Sequence, residues 1–489
     1  MDTYIGIDLG TSGAKMLLVS GEGKILASVT ESYPVSYPRS GWSEQDPHDW
    51  YAGAVRGIRR LLEGQDASAV RGIGAGGQMH GLVALDKDGA VIRPAILWND
   101  GRTQAQTDWL NNEVGREKLS ACTGNIAYAG FTAPKILWMR ENEPENFARI
   151  ARIMLPKDYL AYRFCGVHCT DYSDASGTLL LDVKNRCWSE EMCALCGVKP
   201  EWLPMLHESY APVGRLLPAV AEELGLSEDV LVCAGAGDNA AAAVGTGTVE
   251  VGDCNISLGT SGTVFIAQDN FSVDKANALH SFCHANGRFH RMGCILSAAS
   301  CNAWWSDNIL RTQDYDAEQA GADALRGKND VFFLPYLMGE RSPHNDVNAR
   351  AAFIGMRPDT SRVQMTLAVA EGVAFALKDC VEIAAADTPL RSTRICGGGA
   401  RSPLWRQVVA DVLDMPVERP VAEEGPAYGG AMLAMVASGR YDSVSAAVRA
   451  LVRVRSVTQP DPAAAEAYRA KYETFKKLYP ALKGVFAQW

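Results

Sequence analysis

The chain has 489 residues, of which 47% are hydrophobic and 21% charged, and its formal net charge is -10. This length exceeds what one hydrophobic core usually supports, so we expect two domains, and the acidic balance argues against a nucleic-acid or anionic-membrane partner. Strand-like sequence begins at Tyr4 and polar residues such as Asp238 break the apolar runs, so neither a signal peptide nor a membrane-spanning helix is expected. Thirteen cysteines without a secretory signal indicate reduced thiols in the cytoplasm.

A five-residue sequence, Leu-Gly-Thr-Ser-Gly, occurs twice, at residues 9–13 and 258–262, each time between apolar runs. Two extended runs joined by a turn rich in glycine and hydroxyl groups predict a β-hairpin, and successive N–H groups in such a turn can bind an anion. The alternative is two ordinary hairpins that are alike by chance. Facing one another, the hairpins could hold a polyphosphate through the turn residues Gly10, Thr11, Ser12, Gly259, Thr260 and Ser261.

The two hairpins differ at one informative position, where Asp8 in the first corresponds to Ser257 in the second. If the hairpin needed a carboxylate to fold, both copies would carry one, so Asp8 is predicted to serve the chemistry. A carboxylate oxygen suits Mg²⁺, bound directly or through water. A Walker-type P-loop is absent from the sequence, because Lys15 does not follow a glycine.

The next elements of the first half are a strand at Lys24–Thr30 and a helix that begins at Pro47, with Asp46 as its N-cap, and ends at Gly64. A short strand at Val70–Ile73 then leads into a glycine-rich stretch. Glycines at 72, 74 and 77 match a dinucleotide-binding fingerprint in spacing. A strand rather than a helix follows them, so we reject a Rossmann site.

These glycines are instead predicted to free the backbone, so that Gln78, Met79 and His80 are presented at a strand end. The alternative is that Met79 fills the core and that His80 is a polar side chain with its hydrogen bonds satisfied within the protein.

A buried strand is predicted at Val230–Ala234, followed by Gly235, Gly237, Asp238 and Asn239 and then by an alanine-rich helix. Ligands in open α/β sheets bind outside the carboxyl ends of the strands, which is where Asp238 falls. The alternative is that Asp238 or Asn239 merely caps the helix.

In the second half we predict a strand region at His280–His284, helices near Ala298–Leu310 and at Thr360–Ala386, and a surface helix in the basic, aromatic tail. The stretch from Ile395 to Ser402 predicts a strand, a glycine-rich turn and a helix start, which suits the sugar or phosphates of a nucleotide.

Two pairs of cysteines loosely resemble a four-thiolate zinc site: Cys165 with Cys169, and Cys193 with Cys196. We favour the alternative of partly buried structural thiols, and expect no zinc.

Taken together, the chain resembles the FGGY carbohydrate kinases over nearly its whole length, most closely the bacterial xylulokinases. The residues that carry the resemblance are the segments 5–13, 42–47, 77–81, 95–102, 130–135, 155–159, 237–241, 257–262, 280–284, 339–344 and 397–401. The Gly-Gln-Met-His segment looks like the xylulokinase version of a position where other members bind different polyols. Ser342 and Cys396 depart from residues common in the family, at positions away from the chemistry.

The resemblance implies a fold and a reaction. The fold is α/β, with two related ribonuclease H-like domains of the actin/hexokinase type and an ATP/sugar cleft between them, divided here as residues 1–245 and 246–489. The reaction is ATP-dependent phosphorylation of the 5-hydroxyl of D-xylulose. Asp238 would be the general base and Asp8 would lie near Mg²⁺ and the phosphates. Sugar contacts would come from Gln78, Met79, His80, Asp238 and Asn239, and nucleotide contacts from Gly259, Thr260, Gly398 and Gly399.

Two alternative functions remain open at this stage. A kinase of the same family could act on another ketose or polyol, such as ribulose or glycerol. A nucleotide-dependent switch of the same fold would keep the hairpins and lose the substrate residues, and the segments 77–81 and 238–239 argue against it. A homodimer is a further possibility.

Overall fold

The computed structural model describes residues 1–488, which form two lobes that follow one another along the chain. The strands of the first lobe are β1 (Thr3–Leu9), β2 (Gly13–Ser20), β3 (Ile25–Ser32), β4 (Glu44–Gln45), β5 (Val70–Gly77), β6 (Val83–Leu85), β7 (Ala95–Ile96), β8 (Arg152–Met154), β9 (Cys169–Asp171), β10 (Leu181–Asp182), β11 (Cys187–Trp188), β12 (Met205–His207), β13 (Pro212–Arg215), β14 (Leu231–Cys233) and β15 (Ala236–Gly237). Its α-helices are α1 (Pro47–Leu61), α2 (Gln104–Trp109), α3 (Arg116–Thr123), α4 (Thr132–Asn142), α5 (Pro144–Ala148), α6 (Pro156–Cys165), α7 (Tyr172–Ala175), α8 (Glu190–Cys196), α9 (Pro218–Leu224) and α10 (Asp238–Thr246).

The second lobe has the strands β16 (Asp253–Leu258), β17 (Gly262–Gln268), β18 (His280–Cys283), β19 (Phe289–Ile295), β20 (Phe332–Leu334), β21 (Ala352–Ile354), β22 (Ser392–Cys396), β23 (Val417–Pro420) and β24 (Val454–Thr458). Its α-helices are α11 (Ala299–Ala303), α12 (Tyr315–Gln319), α13 (Arg362–Ala384), α14 (Pro403–Leu413), α15 (Gly425–Ala437), α16 (Val444–Leu451) and α17 (Pro462–Phe486). Among residues 1–488, no helix is both long and apolar enough to cross a membrane.

The main sheets of the two lobes have the same topology. The first has the strand order β13-β14-β5-β1-β2-β3, and the second has β24-β23-β22-β16-β17-β19, with β18 added at the edge. In each, three neighbouring antiparallel strands are followed across the sheet by two strands parallel to the first and an antiparallel edge strand. The predicted pair of related ribonuclease H-like domains is confirmed, and the repeated Leu-Gly-Thr-Ser-Gly turn joins equivalent strands, β1 to β2 and β16 to β17.

Several local predictions agree with the structure. Helix α1 begins at Pro47, and the Asp46 carboxylate accepts a hydrogen bond of 2.9 Å from the His48 N–H, as an N-cap does. Its end differs from the prediction, because the helix stops at Leu61 and Gly64 lies beyond it. The tail helix α17 buries an aromatic face, since Tyr468, Tyr472 and Phe475 pack on α13, so only its other face lies at the surface.

The lobes meet through helices whose backbones touch. Helix α15 of the second lobe packs against both α10 and the first sheet, and a Cβ atom on Gly429 would lie 1.9 Å from the Ala241 carbonyl oxygen. On the sheet side, a Cβ atom on Gly74 would lie 2.2 Å from the Gly430 oxygen. Strand β5 continues through the glycine-rich stretch. Because these glycines have no side chains, helix α15 of the other lobe can approach the strand closely.

A second contact between the lobes involves the edge strand β18. The Asn125 side chain donates to the Ser281 carbonyl oxygen at 3.0 Å and accepts from the Ser281 N–H at 3.1 Å. This paired hydrogen bond is buried and attaches the second sheet to the first lobe on the side opposite β24.

Candidate active site

The carboxyl ends of three parallel strands meet at one edge of the first sheet. In the register of β5, Gly76 lies opposite Asp8 on β1 and opposite Ala236 on β15. Asp8 is at the end of β1, Gln78 directly follows β5, and Asp238 directly follows β15. The fold thus gathers at one edge the residues that the sequence predicted as a site, as is usual for α/β sheets.

Asp238 does not cap the helix that it begins. Gly237 is the N-cap of α10, and the Asp238 carboxylate instead accepts from the Asn239 N–H at 2.7 Å and from its side-chain amide at 2.8 Å. The helix-capping alternative is therefore wrong, and Asn239 orients the carboxylate while its own amide carbonyl stays available.

The two acidic side chains raise each other's energy when ionised. Both side chains are partly accessible to solvent. The surrounding protein nevertheless removes most of their hydration, and this desolvation raises the pKa of Asp238 to about 6. The same desolvation, together with the charge of Asp238, raises the pKa of Asp8 to about 7, although Lys15 partly offsets this. A pair of poorly hydrated carboxylates favours a bound cation.

The first hairpin turn is held by side chains from other segments of the first lobe. Gln78 is buried, and its carbonyl oxygen accepts from the Thr11 hydroxyl at 3.1 Å. Its amide donates to Gln45 at 3.0 Å and to the Gly10 carbonyl at 3.4 Å. The Thr11 hydroxyl also accepts from the Trp98 indole at 3.0 Å. The structure thus commits the Gln78 side chain, predicted to contact sugar, to bracing this turn.

This network also uses the hydroxyl of Thr11 within the protein, so only the backbone of Thr11 is left for a ligand. Ser12, at the tip of the turn, is exposed. Sequence reasoning missed the roles of Gln45 and Trp98, although both belong to segments that carry the family resemblance.

Met79 and His80 lie in the wall next to Asp238. The Met79 side chain fills the space beside Gly237, where a Cβ atom would lie 3.0 Å from its Cγ. His80 has a left-handed backbone, with φ of 70°, and its Nδ1 lies 2.8 Å from the Gly177 carbonyl oxygen. Its ring stacks on Phe131 with centroids 4.7 Å apart.

Burial and the nearby charge of Lys135 hold the pKa of His80 well below its usual range, so the ring is neutral. Because Nδ1 faces a carbonyl oxygen, it carries the proton and Nε2 is left as an acceptor. The alternative, that the hydrogen bonds of His80 are satisfied within the protein, therefore holds for Nδ1 only.

The second sheet presents an equivalent edge. Strands β16 and β22 run parallel, so the turn at Gly259–Ser261 lies beside Gly397–Gly399. The Thr260 carbonyl accepts from the Ala298 N–H at 2.9 Å and from the Ser300 hydroxyl at 2.7 Å, which fixes this turn. No atom lies within 4 Å of a Cβ placed on Gly398. The predicted nucleotide loop therefore has an open face.

A cavity of about 430 Å³ separates the lobes near these edges. Trp98 and Tyr128 of the first lobe and Glu340 and Arg341 of the second are among its lining residues. Neither Asp8 nor Asp238 lines it, but the Tyr128 ring lies 5.3 Å from that of Phe131, on which His80 stacks. Burial raises the pKa of Glu340 to about 8. Sequence reasoning assigned none of these cavity residues a role.

The cysteines of the possible zinc site belong to different cores. Cys165 packs in the core of the first sheet, whereas Cys193 and Cys196 pack in the core around α4. Within residues 1–488, no group of three or more His, Cys, Asp or Glu side chains is arranged to hold a metal ion.

Comparison with known proteins identifies the fold and the family. Residues 3–245 match the N-terminal domain of the FGGY family of carbohydrate kinases, and residues 254–438 match its C-terminal domain. A xylulose kinase of Escherichia coli (strain K12) is 41% identical over 99% of this chain and 100% of its own, and one of Klebsiella pneumoniae is 40% identical over 98% and 99%. The crystal structure of a xyloylose kinase from Brucella ovis, 38% identical, superposes with a TM-score of 0.93 over 99% of this chain and 100% of that one.

These matches cover both lobes and at least 99% of the length of each relative named, and they agree with the actin/hexokinase-type arrangement of two ribonuclease H-like domains around a cleft. The turns, the acidic pair and the glycine loop described above all fall inside the matched ranges. The chain is a member of the FGGY family of carbohydrate kinases.

Proposed function

We propose that this carbohydrate kinase transfers the γ-phosphoryl group of ATP to the 5-hydroxyl of D-xylulose, giving D-xylulose 5-phosphate. The observation that carries the proposal is the position of Asp238. Its carboxylate lies at a strand end beside Met79 and His80, is oriented by Asn239 and has a pKa of about 6. The xylulose kinases of Escherichia coli and Klebsiella pneumoniae, similar over their full length, support the choice of sugar.

Asp238 is the proposed general base. At neutral pH it is mostly ionised, and its pKa is close enough to the working pH for it to accept the proton of the attacking hydroxyl as transfer proceeds. His80 accepts a hydrogen bond from a second sugar hydroxyl through Nε2, and Met79 packs against the carbon chain. The amide carbonyl of Asn239 is free to accept from a third.

The phosphates of ATP are proposed to lie between the two hairpin turns. Their donors are the backbone N–H groups of Gly10, Thr11, Ser12, Gly259, Thr260 and Ser261, and the loop of Gly398 and Gly399, which is open at Gly398, receives the nucleoside. Phosphoryl transfer depends mainly on such positioning and on neutralised charge. The two lobes must exclude water around the reacting groups, or ATP would be hydrolysed.

The residues present fit a magnesium ion. Asp8 offers a carboxylate whose desolvation and repulsion by Asp238 a cation would relieve, and Mg²⁺ commonly uses one or two carboxylates together with substrate phosphates. Asp8 would hold the ion directly or through water, and the ion would neutralise charge on the transferring phosphoryl group.

The remaining parts of the proposal concern the organisation of the molecule. We expect the domain boundary near residue 245, a cytoplasmic enzyme with reduced thiols, and no nucleic-acid or membrane partner. A homodimer is compatible with this description.

The test is a coupled assay of ADP release with D-xylulose, D-ribulose, other ketoses, aldoses, glycerol and other polyols. We expect the highest kcat/KM with D-xylulose, and a loss of sugar use in His80→Ala with the KM for ATP unchanged. Equal or faster turnover of ribulose or glycerol would contradict the assignment of the sugar and leave the kinase itself intact.

A further inference from the structure

A buried ionic cluster lies behind the strand ends of the first sheet. The Lys157 ammonium is 2.6 Å from Asp158, 2.9 Å from Asp171 and 3.6 Å from Asp174, and all four side chains are shielded from solvent. Burial alone would lower the pKa of Lys157, but the three carboxyl groups outweigh it and raise the pKa well above its usual value. Lys157 therefore stays charged, as the permanent partner of Asp171.

Hydrogen bonds lead from this cluster to the start of α10. One oxygen of Asp171, Oδ2, accepts from the Ser173 hydroxyl at 2.5 Å and from the Ser209 hydroxyl at 2.6 Å. The Ser173 oxygen in turn accepts from the Gly237 N–H at 3.1 Å. A chain of contacts therefore runs from the Lys157 ammonium through Asp171 and Ser173 to Gly237, the residue immediately before Asp238.

The segment that contains Ser173 also holds the sugar-side histidine. The Gly177 carbonyl is the partner of His80 Nδ1, and a Cβ atom at Gly177 would lie 2.4 Å from the His80 ring. The neighbouring Ser176 hydroxyl accepts from the Cys283 N–H of β18 at 3.0 Å. Residues 171–178 thus connect three parts of the cleft: the start of α10, His80 and the edge strand of the second lobe.

We propose that Ser173, fixed by the Lys157–Asp171 ion pair, is a positioning residue for Asp238. This inference rests on the proposed role of Asp238 as the base. The Ser173 hydroxyl donates to the Asp171 carboxylate, which the ion pair with Lys157 holds in place. A lone pair of the Ser173 oxygen is therefore aimed at the Gly237 N–H, and this contact sets the turn from β15 into α10. A small error in the position of a catalytic group lowers the rate steeply, since about 1 Å can cost about 10²-fold.

Ser209 provides a matched control. Ser173→Ala and Ser209→Ala each remove one buried hydroxyl from the same oxygen of Asp171, and only Ser173 also reaches Gly237. We expect similar losses of thermal stability in the two variants. We expect kcat to fall about 10-fold or more in Ser173→Ala, with the KM for ATP unchanged, and to stay within about 2-fold of wild type in Ser209→Ala.

The measurements are steady-state kinetics and thermal melts of both variants beside wild type and Asp238→Asn. If both serine variants have the same kcat per folded molecule while Asp238→Asn is inactive, the positioning role of Ser173 is refuted and the proposed function stands. If Asp238→Asn keeps near-normal kcat, the proposed base is wrong, and the inference about Ser173 fails with it.

Discussion

Asp238 and Asp46 are two aspartates at helix starts with different tasks. Asp46 caps α1, whereas Asp238 is already inside α10 and turns its carboxylate toward Asn239. A cap contributes to stability, about 0.5–2 kcal/mol on replacement by Ala, and a general base contributes to rate, about 10²–10⁴-fold. The two residues thus allow stability and catalysis to be separated.

Asp238→Asn should lower kcat about 10²–10⁴-fold without lowering the melting temperature, because the side chain does not cap its helix. Asp46→Ala should do the opposite, with a lower melting temperature and normal kcat per folded molecule. Kinetics and thermal melts of both variants test this pair. Near-normal turnover by Asp238→Asn at unchanged stability would place the base elsewhere.

Asp8 carries an energetic penalty in the folded protein. Its pKa is near 7 when folded and about 3.9 when unfolded, so the folded state holds the proton more tightly. The ionised side chain therefore destabilises the fold, and this loss grows as the pH rises from about 4 through about 7.

Asp8→Ser, which copies the residue found at Ser257, should fold normally and lose most phosphoryl transfer. In the absence of ligands it should melt at a higher temperature than wild type at pH 8, and the difference should shrink as the pH falls toward 5. Thermal melts over pH, with ADP release at pH 7.5, give the readout. A variant that unfolds would show a structural role for Asp8, and one with full activity would show that it is dispensable.

At the scale of residues, the sequence predicted which residues come together, but it did not predict the role of some of them. Asp8 and Asp238 could be placed because each follows a predicted strand, and parallel strands end at one edge. Gln78 could not be assigned its task, because its partners Gln45 and Thr11 are far from it in sequence. The same holds for Lys157 and Asp171, since a buried ion pair leaves no signature in composition or spacing.

At the scale of elements, glycines decide how closely helices and strands approach. Gly429 in α15 faces the Ala241 carbonyl, and a Cβ atom there would lie 1.9 Å from it, whereas no atom lies within 4 Å of a Cβ on Gly484 in α17. Both residues are helical, so their intrinsic cost to a helix is similar, at about 0.5–1 kcal/mol relative to Ala.

Gly429→Ala should therefore destabilise the protein, by about 1–3 kcal/mol or more, because the backbones of α10 and α15 must separate. Gly484→Ala should leave stability unchanged or raise it by up to about 1 kcal/mol. Chemical denaturation of both variants measures the difference. Equal stabilities would mean that the contact between the helices yields without loss.

The order of elements was readable from the sequence, and their ends and contacts less so. The repeated hairpins, α1 and α13 were predicted because each has a clear period or turn signal. Strand β5 was predicted only as far as Ile73 and in fact continues to Gly77, since pairing with β1 and β15 outweighs the weak strand preference of glycine. Two of the glycines that matched a nucleotide fingerprint, Gly72 and Gly74, face α15, a partner about 350 residues away, and the third, Gly77, faces Lys157 of α6.

At the scale of the whole molecule, the two halves share one of their cores. Tyr4, Leu17 and Val19 of the first sheet are packed with Ala427 and Met432 of α15 in a single hydrophobic cluster. The hydroxyl of Tyr428 also donates to the Gly23 carbonyl at 2.9 Å. The face of the first sheet that holds these residues is therefore completed by the second half of the chain.

Residues 1–245 expressed alone should lack a cooperative thermal transition, because α15 is missing from this core. Co-expression with residues 246–489 should restore a cooperative melt and ADP release. Circular dichroism and the coupled assay measure both outcomes. A stable, sharply melting 1–245 fragment would show that the shared core adds little to the first lobe.

The contact between α15 and β5 has a consequence for how the protein is made. A ribosome adds about 5–20 residues per second, and about 350 residues separate β5 from α15, so the first sheet waits tens of seconds for the helix that covers it. During that time the nascent chain exposes the apolar face of the first sheet that α15 later covers. Because its glycines allow close approach, a helix or strand of another protein can bind there. We expect a chaperone that shields such faces to raise the yield of this folded protein. The hairpins of the two lobes should depend on it less, because they close as soon as they emerge.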